Sequence, residues 1–263
     1  NMIRSPIITV MEQAARKAGR TLARDFGEVE NLQVSLKGPA NFVSAADRRA
    51  EEILHTELSK ARPDFSLLME ERGSVSGKDA GNVWVVDPLD GTTNFLHGIP
   101  LFAISIALVK AGVPTAGLVF NPVTDELFVA ERGKGAFLHN RRLRVAARRD
   151  LSNCVVTCGI PHRGRGDLAL FRKELAAIQN QVAGIRRTGA AALDLAWVAA
   201  GRFDGFWERN LSPWDLAAGL VLVREAGGFA TDIDGGDAIL DKGSVVAGNE
   251  DIQRALLALL KSA

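Results

Sequence analysis

The most constraining feature of this chain is a set of short apolar runs that end directly in acidic residues. Residues 65–68 are followed by Glu70, and residues 83–86 run straight into Asp87. Runs of this length, bounded by polar residues, are typical of buried strands. We therefore predict strands that deliver carboxylates at their ends.

Two helices are predicted upstream of these strands. Residues 7–26 space their apolar side chains at helical intervals. A second helix is predicted to begin at Ser44, with Asp47 three residues on in a capping-box arrangement, and to end before Pro63. Both helices precede the acidic residues that could carry chemistry.

Further apolar runs predict an antiparallel meander over residues 103–109, 113–120 and 127–130. The second half alternates strands (154–157, 185–187, 203–207, 229–231 and 245–247) with helices at 168–181, at 191–200, from Trp214, and after an Asn249 cap. Strands and helices that interleave in this way favour a layered α/β (α+β) fold. We expect one unit over 1–263, with a soft lobe boundary near Asp150.

Composition narrows the function classes. Lysine and arginine number 32 against 31 for aspartate and glutamate, so bulk charge does not favour a polyanion partner. The sequence lacks an apolar run of about 20 residues and a secretion-signal pattern, so we expect a cytoplasmic protein with no membrane partner. Cys154 and Cys158 lack a second ligand pair for zinc and are predicted to be buried structural thiols.

The densest chemistry lies in residues 84–95, where a strand ends in Asp87-Pro88-Leu89-Asp90. Proline stiffens this turn, so both carboxylates can converge with the Leu89 carbonyl on one point. Carboxylate and carbonyl oxygens favour magnesium, manganese or calcium over zinc. The following Gly91-Thr92-Thr93 is predicted to open a helix whose free N–H groups suit a phosphate.

These residues carry a resemblance to a known family. The stretch around Glu70, the run 87–95 and the run 214–219 resemble the inositol monophosphatase family of lithium-sensitive, metal-dependent phosphatases, and bacterial members in particular. Residues 186–195 and 225–228 extend the similarity over nearly the whole chain. The resemblance implies a layered α-β-α-β-α sandwich, a homodimer, and magnesium-dependent hydrolysis of inositol monophosphate or a similar polyol phosphate.

The resemblance also implies residue roles. Two or three Mg²⁺ ions would be held by the following ligands: Glu70, Asp87, the Leu89 carbonyl, Asp90 and Asp215. Thr92, hydrogen-bonded to Asp47, would orient the attacking water together with Glu70. The residues assigned to phosphate and substrate are Asp90, Gly91, Thr92, Gly189, Ala190, Ala191, Glu208 and Asp215. The lobe 1–150 would thus hold metal and phosphate, and the lobe 151–263 the substrate.

Simpler readings stay open for several of these residues. Asp47 could be only a helix cap, and Glu208 only a partner for Arg209. Lys37, before a Gly-Pro turn, could approach the metal waters or be an ordinary exposed lysine. Relatives commonly carry Ser or Thr where Ala190 stands, which removes one polar contact with substrate.

Other functions also stay open. Fructose-1,6-bisphosphatase, histidinol-phosphate phosphatase and nucleotide 3′-phosphatase activities reuse the same metal core with different pockets. A non-enzymatic alternative is a regulator associated with RNA or the transcription machinery, at which only the arginine cluster within 141–149 hints. Residues 232–237 partly resemble a calcium-binding loop but are predicted to form a turn. Residues 133–135 are predicted to form a hairpin.

Overall fold

The computed structural model describes residues 4–29, 31, 39–162 and 164–263, with the side chains of 39–42 excepted. Lys37 lies outside the described residues. The helices are α1 (Pro6–Gly27), α2 (Pro39–Ala61), α3 (Thr92–Leu96), α4 (Leu168–Gln179), α5 (Ala191–Ala199), α6 (Pro213–Glu225), α7 (Ile239–Lys242) and α8 (Glu250–Ser262).

The strands form two sheets. The first, in the order β2-β1-β3-β4-β5-β6-β7-β8, contains β1 (Phe65–Met69), β2 (Gly73–Val75), β3 (Asp79–Asp90), β4 (Ala103–Lys110), β5 (Val113–Asn121), β6 (Glu126–Glu131), β7 (Gly135–Leu138) and β8 (Arg141–Arg142). The second, in the order β10-β9-β11-β13-β12, contains β9 (Val155–Cys158), β10 (Gly184–Arg186), β11 (Gly205–Glu208), β12 (Phe229–Thr231) and β13 (Val245–Gly248). Strands β4, β5 and β6 pair antiparallel, as predicted.

Helices cover both faces of each sheet. Trp84 and Val86 of β3 pack with α1 and α2, whereas Val85 faces α5 and α6 in a separate core. The same central core receives Phe206 from the second sheet, while Trp207 points away toward α4 and α8. The result is the expected α-β-α-β-α layering. It also explains why the central strands are apolar runs rather than alternating patterns, since helices cover them on both faces.

The second helix differs from its prediction at its start. It begins at Pro39, so Ser44 lies in its interior and Asp47 is not in its first turn. Proline is favoured at the first helical position, where its missing N–H would have had no partner. The Ser44 hydroxyl accepts a hydrogen bond from Arg48 instead of capping the helix. The predicted end before Pro63 is confirmed.

The short elements β2, β7, β8 and α7 were missed. Strand β8 shows why, because it consists of two exposed arginines with no apolar pattern to reveal it. Residues 133–135 do form the turn of a hairpin, between β6 and β7. Both cysteines are free and buried, as predicted.

The run 232–237 is a turn, closed by N–H groups of Asp234 and Gly236 that donate to the Asp232 carboxylate. Asn249 caps α8 as predicted, accepting from the N–H of Ile252. Within the described part of the chain, no helix is both long enough and apolar enough to cross a bilayer.

Candidate active site

A β-bulge at the end of β3 brings two aspartates to the same side of the first sheet. Asp87 pairs with Ser105 and Asp90 with Ala103, so Pro88 and Leu89 face the single residue Ile104. In a regular strand, residues three apart point to opposite faces, and one extra residue restores the same face. Pro88, which cannot donate to the ladder, is tolerated at such an irregularity. The predicted turn is therefore a bulge within a longer strand.

The third aspartate arrives from the second half of the chain. Asp215 lies in the first turn of α6, and its Oδ2 accepts from the N–H of Ser212 at 2.9 Å. One carboxylate oxygen each from Asp87, Asp90 and Asp215 lies within 4.8 Å of the others. The structure thus gathers these three predicted ligands at one point.

Each of these three carboxylates has one oxygen tied to a backbone N–H group. Leu89 donates to Asp87 Oδ1 at 3.0 Å, and Ala192 donates to Asp90 Oδ2 at 2.7 Å. Ser212 does the same for Asp215. Because a carboxylate has further acceptor positions, each side chain is oriented and can still bind a cation.

Glu70 adds a fourth carboxylate. Its side chain contacts that of Asp87, and its Oε2 is buried with no hydrogen-bond partner. The N–H of Glu70 donates to the Val86 carbonyl at 3.3 Å, which holds the end of β1 beside β3. An acceptor without a donor inside a protein is costly unless a cation or a proton reaches it.

The electrostatics of this cluster favour a bound cation. Burial, followed by repulsion from Asp90 and Glu70, raises the pKa of Asp87 well above its usual range. Burial and the charge of Asp215 do the same to the pKa of Asp90. Burial also raises the pKa values of Glu70 and Asp215. A hard divalent cation would relieve this repulsion, so the oxygen-only donor set fits a magnesium-type ion.

Gly91 follows the bulge directly and turns the chain from β3 into α3. Its φ is +95°, and an added Cβ would lie 2.9 Å from the Leu101 carbonyl oxygen and 3.2 Å from Phe102 Cβ. This conformation and this packing both require glycine. Thr92, the first residue of α3, is exposed beside it.

Asp47 lies inside α2 with only 4% of its surface exposed. Burial, followed by repulsion from Glu70 and Glu71, raises its pKa to about 8. Its Oδ1 has no hydrogen-bond partner, and the expected bond with Thr92 is absent from the contacts of the described residues. The helix-cap explanation fails because the residue is in mid-helix.

The loop leading into α5, where residues 189–191 were assigned to substrate, packs against Gly91. An added Cβ on Gly91 would come within 3.3 Å of Ala190 Cβ, so the loop before α5 touches the turn after β3. Ala190 and Ala191 are buried there, next to Gly189. The structure therefore brings this part of the second half against the aspartate cluster.

Glu208 ends β11 beside Gly159, where its carboxyl group fills the space that a Cβ would need. Burial, then repulsion from Asp194 and Asp215, raises its pKa to about 8. It is not the partner of Arg209, because that guanidinium pairs with the buried Glu174 at 2.7 Å. Glu208 is thus left to face the cleft that it lines.

Three residues at the site were not assigned a role from sequence. Arg165 lines the same cleft as Glu208, and its charge opposes the effect of burial by lowering the pKa values of Glu208 and Asp215. Asp194 is buried and accepts from Thr157 and Thr188. Asn94 bonds to both halves of the chain. Asn94 and Asp194 stand in the runs that resemble the family, but no local pattern distinguishes Arg165.

Comparisons with known proteins agree over almost the full length. The profile of the inositol monophosphatase family matches residues 3–263. An inositol-1-monophosphatase of Mesorhizobium japonicum is 64% identical over 99% of this chain and 98% of that protein. The Nus factor SuhB of Escherichia coli K12 is 41% identical over 97% of this chain and 96% of its own length.

A solved structure shows the same fold. The crystal structure of the extragenic suppressor protein suhB from Bartonella henselae superposes with a TM-score of 0.92 at 58% identity, covering 98% of this chain and 100% of that one. Similarity of sequence and of fold thus extends through both sheets and through the aspartate cluster. The chain therefore belongs to the inositol monophosphatase family, and it is a phosphatase of that family.

Proposed function

We propose that this phosphatase hydrolyses inositol monophosphate, or a closely similar polyol phosphate, in a Mg²⁺-dependent reaction in the cytoplasm. The observation that carries the proposal is the convergence of Asp87, Asp90 and Asp215 within 4.8 Å, beside the unpartnered Glu70 Oε2. Several buried acidic groups forced together are typical of a functional site rather than of a structural ion pair.

The residues that would hold two or three Mg²⁺ ions are Glu70, Asp87, the Leu89 carbonyl, Asp90 and Asp215. When bound, Mg²⁺ would supply Lewis-acid activation of water and neutralise charge on the leaving oxygen. The chain's own residues orient the reactants. Glu70 and Thr92 would direct a water in line with the scissile P–O bond, and positioning of this kind supplies much of the rate.

The phosphate would lie against the N–H groups of Gly91 and Thr92, close to Asp90 and Asp215. Asp47 is buried, and repulsion from Glu70 adds to the effect of burial in raising its pKa. Its carboxyl group would therefore hold a proton near Glu70, on the side of the site where the water would bind. The water oxygen would form a new bond to phosphorus as the P–O ester bond breaks, and a proton from that water would pass to the leaving oxygen, so that the polyol leaves as an alcohol and inorganic phosphate remains. No covalent intermediate with the protein is needed, since water is the nucleophile.

The polyol would lie between the bulge and the loop before α5. Glu208 would accept hydrogen bonds from ring hydroxyls, and Gly189, Ala190 and Ala191 would form the ring-facing wall. Ala190 offers no hydroxyl at a position where relatives commonly carry one. We expect discrimination among polyols to depend on Glu208 more than on this wall.

A phosphate-ester panel tests the proposal. Inositol monophosphate, fructose 1,6-bisphosphate, histidinol phosphate, a nucleotide 3′-phosphate and a simple alkyl phosphate are compared with Mg²⁺, with chelator and with added lithium. We expect inositol monophosphate to be the best substrate, and chelator and lithium to abolish its hydrolysis. Glu208→Gln should raise KM for inositol monophosphate about tenfold and leave the alkyl phosphate unaffected. Equal turnover of the panel, or turnover in chelator, would refute the proposal.

A second candidate role is association with the transcription machinery. The observation that favours it is the 41% identity to a protein named a Nus factor. The arginine cluster at 141–149 gives it less support, because Arg148 pairs with the buried Asp204 and Arg149 with Asp251. Capture of RNA polymerase by an inactive site variant would support this role, and retention only by the active protein would contradict it.

A further inference from the structure

Asn94 joins the two halves of the chain at the site. It lies in α3, two residues after Thr92, and only 8% of its surface is exposed. Its Nδ2 donates to the Leu101 carbonyl at 2.7 Å and to the Thr188 carbonyl at 2.7 Å. One buried amide therefore satisfies a carbonyl from the first half and a carbonyl from the second.

The Thr188 end of this contact is itself fixed. The Thr188 hydroxyl donates to Asp194 at 2.7 Å, and the Thr157 hydroxyl donates to the same carboxylate oxygen at 2.8 Å. A series of hydrogen bonds thus links Thr157 in β9, through Asp194 and Thr188, to Asn94. It spans the second sheet, α5 and the turn that follows β3.

The segment held in this way is the proposed polyol wall. This wall, residues 188–192, includes Gly189 and Ala190. Its last residue, Ala192, donates the N–H that orients Asp90. Gly189 leaves no room for a side chain, because an added Cβ would lie 3.0 Å from Asn94 Nδ2. Loss of the hydrogen bond from Asn94 to the Thr188 carbonyl would therefore release the start of this wall from the turn at Gly91.

We propose that Asn94 is a positioning residue that aligns the polyol-facing loop 188–192 with the phosphate turn at Gly91. The inference rests on the proposed function for its effect on substrate, and on geometry alone for its effect on the loop. Both amide hydrogens are used, so the residue can be replaced only by another side chain with two donors. An aspartate would place acceptor oxygens against two carbonyls at hydrogen-bond distance, which is unfavourable.

Asn121 provides a matched control. It is also buried, its Nδ2 donates to the Pro100 carbonyl at 3.0 Å, and its Oδ1 accepts from Val123 at 3.0 Å. Asn121→Asp keeps the acceptor and removes the donor, on the same 98–102 loop that Asn94 contacts. Its hydrogen bonds among the described residues all stay within the first half, so the variant reports loop anchoring without a hydrogen bond that joins the halves.

Asn94→Asp and Asn121→Asp are compared by steady-state kinetics and by hydrogen–deuterium exchange. We expect Asn94→Asp to raise KM for inositol monophosphate about tenfold, with kcat falling less because β3 still anchors Asp90. Exchange at the Ala190 and Ala192 amides should accelerate about tenfold in Asn94→Asp only. Asn121→Asp should stay within about twofold of the parent protein in both measurements.

Equal effects of the two variants on KM and exchange would overturn the proposal. If Asn94→Asp does not fold, Asn94→Ser replaces it, and the same differential exchange at 190–192 is required. Should the parent protein hydrolyse no ester of the panel, the proposed function fails, while exchange still decides whether Asn94 orders the loop. Unchanged KM with faster exchange would limit Asn94 to a structural role and overturn the positioning claim.

Discussion

Asp90→Asn should produce an inactive protein that is more stable than the parent without metal. The substitution removes a charge from a group of carboxylates whose oxygens lie within 4.8 Å of one another. It also preserves shape, because the amide oxygen can still accept from the Ala192 N–H that now holds Asp90 Oδ2 at 2.7 Å. The fold and the reaction are therefore expected to respond in opposite directions.

The magnitude follows from two opposing contributions. Two unit charges no more than 4.8 Å apart repel by at least about 3 kcal/mol at an effective dielectric constant of about 20. Partial protonation of the cluster, which the raised pKa of Asp90 indicates, relieves part of that repulsion. Weakening the charge-assisted bond to Ala192 costs about 1 kcal/mol. The net gain is about 1–2 kcal/mol, or roughly 2–4 °C in Tm for a chain of this size.

Thermal unfolding of Asp90→Asn and of the parent protein, in chelator and in excess Mg²⁺, measures the change in stability. Steady-state turnover measures the loss of activity. In chelator the variant should unfold above the parent. In Mg²⁺ at about one hundred times Kd the parent should gain about 2.7 kcal/mol and overtake it, while the variant gains little. Turnover should fall by at least about a hundredfold. The reasoning is refuted if the variant is less stable in chelator yet gains as much from Mg²⁺ as the parent does.

Two further substitutions probe the site from other directions. Gly91→Ala should lose about 2–4 kcal/mol of stability and most activity, since its φ of +95° and the Leu101 carbonyl at 2.9 Å exclude a Cβ; an unfolding curve close to the parent's would contradict this. Asp194→Asn should stabilise the protein by about 4 kcal/mol above neutral pH. Burial raises the Asp194 pKa from 3.8 to about 7, so stability is lost progressively as the pH rises between those values, where the unfolded chain releases this proton and the folded protein keeps it. The gain should vanish below the lower value, and a pH-independent gain would contradict this cause.

Much of the fold was predictable because both faces of each sheet are buried. Apolar runs such as the one around Trp84 therefore stand out against their polar borders. Helix boundaries depended on capping residues, and Ser44 shows the weakness of that signal. A serine followed by an acidic residue three positions on also occurs in mid-helix, where its hydroxyl finds another partner.

The site was predictable to the extent that it is local in sequence. Asp87, Asp90 and Gly91 lie in one short run, and their shared direction follows from a single bulge. The contacts of Ala192 with Asp90 and of Asn94 with Thr188 cross about a hundred residues, and no spacing rule reports them. Arg165 lies in a loop without periodicity, so only the folded chain shows that it lines the cleft.

The fold itself orients the three aspartates of the cluster. Backbone N–H groups of Leu89, Ala192 and Ser212 each hold one oxygen of an aspartate; the first comes from the bulge of β3 and the other two from helix starts. Orientation is thus supplied by the fold, and the unfavourable energy is confined to the oxygens that face one another. A cation that binds there meets ligands already aligned, so binding should stabilise the protein with little change of shape.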